Sequence, residues 1–204
     1  DTVTGVLPKF GDTAKVFKIG EPTPDLLALG KTEQKVIQEG FFPSAARISG
    51  NTYQWTDSRS SILRKINVDI FTSDFSVSSS FLSNQAVVLG TNLPNPDQAK
   101  ELAQGFLSNM SFLYEDLNLE KTKKNLLSIK DSNLVSATSI STAQVIGVNF
   151  FQKDVDKMPI LYSKNNNSTI NIFVGGGENQ AQVVKADFFH QGISSESATY
   201  PIKT

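Results

Sequence analysis

Residues 62–72, ILRKINVDIFT, alternate apolar and polar side chains at a period of two. Ile62, Ile66, Val68 and Ile70 fall on one face of an extended chain, and Lys65, Asn67 and Asp69 on the other. A helix cannot satisfy that period, so the stretch predicts a strand with one buried face. NTYQWT (51–56) and FSVSSSF (75–81) carry the same signature. The link at residues 72–74 is short enough for a hairpin. Alternation returns in AQVIGVNFFQ, with Ile146, Val148 and Phe150 in phase, and in STINIFV and QVVKADFFH. In the last, Val184, Ala186 and Phe188 are predicted to face inward, with Lys185 and Asp187 outward. NLLSIKDSNLVSAT predicts two short strands around the turn at 131–133, MPILYS a further strand, and TAKVFKI (13–19) another. The basic run EKTKKN (120–125) is predicted to be a solvated helix end or loop.

Two segments switch to a helical period. The first spans roughly 26–39, where Leu29, Val36 and Ile37 share a face. Gly40 suits the left-handed position after a helix, and Phe41 is placed to fold back on the last turn. The second lies in NLPNPDQAKELAQGFLSNM. Asn95 is a capping residue, Pro96 fits the first helical position, Asp97 meets the positive helix end, and Gln98 completes a capping box. Ala99, Leu102, Ala103, Phe106 and Met110 form its apolar stripe.

The order helix, then antiparallel strands, therefore occurs twice. This divides the chain into an N-terminal extended segment with one strand (1–23), a first helix–sheet unit (24–84), a second (94–191) and a C-terminal tail (192–204) read as cut short. A helix stripe and an apolar sheet face each need a partner, and packing them together satisfies both. The predicted class is α+β: two helix-plus-antiparallel-meander units, helices on one face of the sheets, and more strand than helix.

Composition narrows the function. With 19 basic and 20 acidic residues among 204, overall charge favours neither nucleic acid nor an anionic membrane as partner. The absence of cysteine removes disulfides, thiolate nucleophiles and cysteine-bound metals. Uncharged polar residues outnumber charged ones, as in SVSSSFLSNQ and SKNNNSTINI, which points to an extracytoplasmic surface. No run reaches the ~18 apolar residues of a membrane span. The chain opens on Asp1 rather than Met, so it is expected to be a processed or excised piece, any membrane anchor lying outside it.

Few residue patterns suggest chemistry. Three consecutive glycines, Gly175–Gly177, lie near the only histidine, His190. A phosphate loop would need a following Gly-Lys-Ser/Thr, and a dinucleotide fingerprint would need glycine where Gln180 stands. Alternation on both sides makes GGGENQ a hairpin connection instead. His190 continues the inward row of its strand and is expected to be a hydrogen-bonded structural residue rather than a base. Ser194 and Ser195 lie close in sequence but form no nucleophile elbow. Asp154 and Asp156 in KDVDKMP could hold a hard cation, yet the further oxygen ligands and glycine of a calcium loop are missing. Asp69 and Asp74 bracket a hairpin without an evident partner for paired-carboxylate hydrolysis. Tyr53 and Trp55 share a strand face and could stack on a sugar or peptide, although such pairs more often belong to a core. No cofactor is expected.

Three stretches carry a resemblance: TGVLPKFGDTAKVFKI, VSATSISTAQVIGVNFFQKDVDKMPILYS and ATYPIKT. Together they resemble uncharacterised, membrane-anchored extracytoplasmic proteins of uncultured candidate-phylum bacteria. The resemblance implies a transmembrane helix before such a segment and more chain after it, and no assigned catalytic residue. More remotely, the element order is similar to PepSY-type and sensor-kinase-restraining extracytoplasmic modules. The expected function is a non-catalytic interaction, regulatory or envelope-structural domain of the cell envelope, with a protein or envelope component as partner. It would touch the membrane only through an anchor outside this chain. The alternatives are a carboxylate-based hydrolase or glycan-processing enzyme, and a carbohydrate-binding module using Tyr53 and Trp55.

Overall fold

The computed structural model describes residues 12–20, 25–57, 62–160 and 168–201. They divide into two units. In the first, β1 (Thr13–Ile19) pairs antiparallel with β11 (Ile193–Pro201), setting Val16 opposite Ala198. The second unit, Thr23–His190, is the body.

The body contains one nine-stranded antiparallel sheet. After α1 (Ala28–Gln38) come β2 (Ala46–Ser49), β3 (Thr52–Asp57), β4 (Arg64–Asp69) and β5 (Phe75–Ser79). After the short α2 (Gln85–Val88) and α3 (Pro96–Asn109) come β6 (Leu117–Lys130), β7 (Asn133–Ser136), β8 (Val145–Gln152), β9 (Ile170–Gly175) and β10 (Gln182–Phe188). Strand, at 44%, exceeds helix, at 20%, and the class is α+β. The order across the sheet is β2-β3-β4-β5-β10-β9-β8-β6-β7. β2 to β5 form a meander from one edge to the middle. In the second half β6 pairs with both β7, the other edge, and β8, and the run β6-β8-β9-β10 leads to the middle, where β10 pairs with β5. Phe75 lies opposite Phe188 at that seam, and their rings stack with centroids 4.7 Å apart.

Local chemistry explains the two long helices. Asn95 accepts the backbone N–H groups of Asp97 and Gln98, and the Gln98 side chain accepts from the Asn95 N–H at 3.0 Å, so the capping box is complete. At the end of α1, Gly40 takes φ +93° and its N–H donates to the Ile37 carbonyl. The Phe41 N–H reaches back to Val36, which closes the turn and buries the Phe41 ring.

α1 and α3 cover one sheet face. Val36, Ala99, Ala103, Phe106, Leu107 and Met110 pack there against inward residues of the strands from Trp55 to Phe188. A smaller cluster on the opposite face joins Val145 and Val184 to Phe81 and Val87, contributed by a 3-10 turn (Phe81–Ser83) and α2.

Several local expectations change. Ile62 precedes β4 and belongs to the smaller cluster, not to the row of Ile66 and Val68. A register shift between Val183 and Lys185 turns β10, so Val183 joins Ala186 and Phe188 in the main core while Val184 faces the other way. Residues 120–125 are part of the 14-residue β6, which carries its own register shift between Asn118 and Lys123. Leu102 is 40% exposed rather than core. In MPILYS, Met158 sits in a turn bridged to Val155, and residues 161–163 lie outside those described. Among the described residues, no helix is long and apolar enough to cross a membrane.

Candidate binding cleft

One face of α3 does not bury itself against the sheet. Gln98, Glu101, Leu102, Gly105 and Asn109 recur at three- and four-residue spacing and line an open cleft of about 880 Å³. Its other walls are Glu39 at the end of α1, residues 92–94 before α3, and residues 179–183 leading into β10. Six lining side chains are amides: Asn92, Gln98, Asn109, Asn179, Gln180 and Gln182. The apolar share comes from Leu93, Leu102, Ala181, Val183 and the nearly buried Phe106.

The triple glycine leads into one wall of this cleft, which residues 179–183 form. Gly175 ends β9, and the chain returns in β10, so the segment is a hairpin connection. No helix starts there to receive a phosphate. A Cβ on Gly176 would run into the Thr91 carbonyl, and the Gly177 N–H donates to that same oxygen at 3.0 Å. Asn92, at φ +54°, donates its side-chain amide to the Gly177 and Glu178 carbonyls at 3.1 and 3.0 Å. Glycine is required because two backbones meet here, and their contact fixes the loop that carries Asn179 and Gln180.

Arg64 closes the cleft floor. Its side chain is 8% exposed and donates to the Asp57 carboxylate from Nε at 3.0 Å and Nη2 at 2.6 Å. It also donates to the Glu39 carbonyl at 3.1 Å and to the Val183 carbonyl at 3.4 Å, tying α1, β3 and β10 together. A cation at the C-terminus of α1 also complements the helix dipole. The Glu39 carboxylate accepts from the Asn109 amide at 2.7 Å. Burial pushes the Glu39 carboxyl above its ordinary range, and Asn109 and Arg64 pull it partly back.

The residues singled out from sequence lie elsewhere. Trp55 is fully buried in the main core and Tyr53 is half-buried beside it, with ring centroids 6.3 Å apart. An enclosed indole has no face to offer a sugar. Asp154 is ion-paired with Lys121 at 2.9 Å, and Asp156 sits at φ +49° in the following turn. Among the described residues no group of three or more histidine, cysteine or carboxylate side chains could hold a metal. The Asp69 carboxylate accepts the N–H groups of Phe71 and Thr72 and so shapes the β4–β5 turn, which also holds Asp74. His190 Nε2 lies 2.9 Å from both Asp116 oxygens, and its ring is 4.3 Å from that of Tyr114. The side chains of Ser194 and Ser195 lie outside the described residues.

Reading the sequence for chemistry missed the cleft. Its signal was present in α3, where Gly105 interrupts a helix that is otherwise well formed. No protein-family model and no curated protein matches the chain. Among solved structures it is similar to an uncharacterised protein from Eubacterium rectale, at 13% identity and a TM-score of 0.37. The alignment covers 92% of this chain and 61% of that one.

Proposed function

We propose that this chain is a non-catalytic extracytoplasmic interaction domain, serving a regulatory or envelope-structural role, with the cleft as its binding element. The observation that carries this is Gly105. Glycine inside a helix is about 0.5–1 kcal/mol less favourable than alanine. A Cβ at Gly105 would meet nothing within 4 Å, and the same holds for Gly30 in α1, so packing demands glycine at neither; what sets Gly105 apart is that it lines the cleft. What a side chain there would remove is cleft volume. Stability given up for open space is characteristic of binding sites. The lining agrees: amides offer donors and acceptors without a nucleophile, and Arg64 is already committed to Asp57. The excess of uncharged polar residues supports an extracytoplasmic setting, as does the resemblance to membrane-anchored envelope proteins.

One observation favours a carboxylate hydrolase instead: Glu39 and Glu101 line the same cleft, and burial raises the Glu39 carboxyl. Spacing weighs against it. The Glu39 carboxylate is bonded to Asn109, eight residues beyond Glu101, which is ~12 Å of helix. Side chains at both positions lean toward the helix N-terminus, so the lean leaves that axial separation in place. Paired carboxylates of glycoside hydrolysis stand about 5–9.5 Å apart.

The test is a 1H–15N titration of the protein with short neutral peptides and with oligosaccharides. Shifts should gather at Gly105, Asn109 and Gln180 and disappear in Gly105→Trp. Shifts confined to other surfaces would contradict the proposal. So would hydrolysis products that appear with the natural sequence and vanish in Glu39→Gln.

A further inference from the structure

We infer that the cleft takes an extended peptide segment and seats a lysine or arginine side chain of that segment against Glu39. This rests on the cleft being the binding element and adds the class of ligand. Length comes first. From Gln98 to Asn109 the α3 face rises ~16 Å, the span of about five residues of extended chain.

Chemistry comes second. An amide side chain carries the same N–H donor and carbonyl acceptor as a peptide bond. Of the six lining amides, Asn92 and Asn109 direct N–H groups to the Gly177 and Glu178 carbonyls and to Glu39, and Gln98 directs its oxygen to the Asn95 N–H, so these three offer a ligand their remaining group. A sugar site would want an open aromatic face to stack on. Among the described residues, Phe106 is the one aromatic residue lining the cleft, and it is 3% exposed.

Charge comes third. Among the described residues, the charged ones lining the cleft are Glu39, Glu101 and Arg64, and Arg64 is paired with Asp57 behind it. Two carboxylates remain to set the sign of the site. Glu39 is the half-buried one, and Asn109 holds its carboxylate in place from one side. A cation arriving from the cleft would compensate for the water that this carboxylate has lost. Gly105, one helical turn before Asn109, leaves room for the long side chain that delivers it.

The probes are acetylated, amidated pentapeptides: Ala-Ala-Lys-Ala-Ala, and the same peptide with norleucine, which keeps the length and removes the charge. Chitotetraose serves as the sugar. In 1H–15N titrations the lysine peptide should shift Gly105, Asn109 and Gln180 and bind about fivefold more tightly than the norleucine peptide. Glu39→Gln, which keeps the oxygen that accepts from Asn109, should erase that difference while still binding both peptides. Equal affinity of the two peptides for the natural sequence would overturn the cationic contact and leave the cleft as a binding site. Cleft shifts with chitotetraose and none with either peptide would overturn the peptide class alone. Peptide shifts confined to the sheet edges would overturn both this inference and the role of the cleft.

Discussion

Glu39 and Gly105 are two cleft residues whose chemistry departs from what stability alone would select. Glu39 holds its proton more tightly in the folded chain than its ordinary value of 4.5 allows, because burial disfavours the carboxylate. The folded state therefore binds more protons than the unfolded one just above that pH, and stability falls as pH rises through the window. Glu39→Gln removes the ionisation and keeps the bond from Asn109. Its melting temperature should exceed that of the natural sequence at pH 7, with the gap closing as pH drops toward 4. Thermal melts across pH 4–8 check the sign, and a gap that widens on acidification would refute it. Gly105→Ala should stabilise the protein by about 0.5–1 kcal/mol, measured by urea denaturation, since the added methyl group has open space.

At the scale of elements, legibility followed locality. The capping box of α3 depends on neighbours within a few residues and is visible in the chain. What escaped were features set by distant partners. Val184 was placed with Ala186 and Phe188 because strict alternation demands it, but the register shift in β10 reverses the phase at one residue. The lysines of 120–125 hid the middle of β6, because an edge-facing strand favours charge where a central strand favours apolar side chains. Leu102 looked like core because periodicity marks a face without saying what lies opposite it. The triple glycine was legible as a turn, yet its reason, the close approach of Thr91, lies some 85 residues away. Gly176→Ala should cost roughly 1–3 kcal/mol by forcing residues 91–93 outward. In the same variant the Asn179 and Gln180 amides should shift in a 1H–15N spectrum. A variant with unchanged stability and spectrum would show that this contact does not hold the cleft wall.

At the scale of the molecule, two helix-led meanders share one sheet through the β5–β10 seam, and neither can bury its inner strand without the other. The body should therefore unfold as one unit. Phe188→Ala, which removes half of the stacked pair at the seam, should destabilise it by about 3–5 kcal/mol. The fluorescence of Trp55, on β3, should lose its native signal in the same transition as the main loss of far-UV circular dichroism, which the nine-stranded sheet dominates. Separate transitions would mean that the meanders are independent. The order of helices and strands is legible in the chain, but the joining of all nine strands in one sheet is not, because no local signal specifies which strands meet in the middle. That union also makes the cleft, since α1, α3 and β10 come from different parts of the chain. The most direct test of its role is the affinity of Gly105→Trp for the lysine pentapeptide, measured on a sample whose melting temperature is at least that of the natural sequence. Binding should fall below detection. A folded Gly105→Trp protein that binds the peptide as tightly as the natural one would contradict the account.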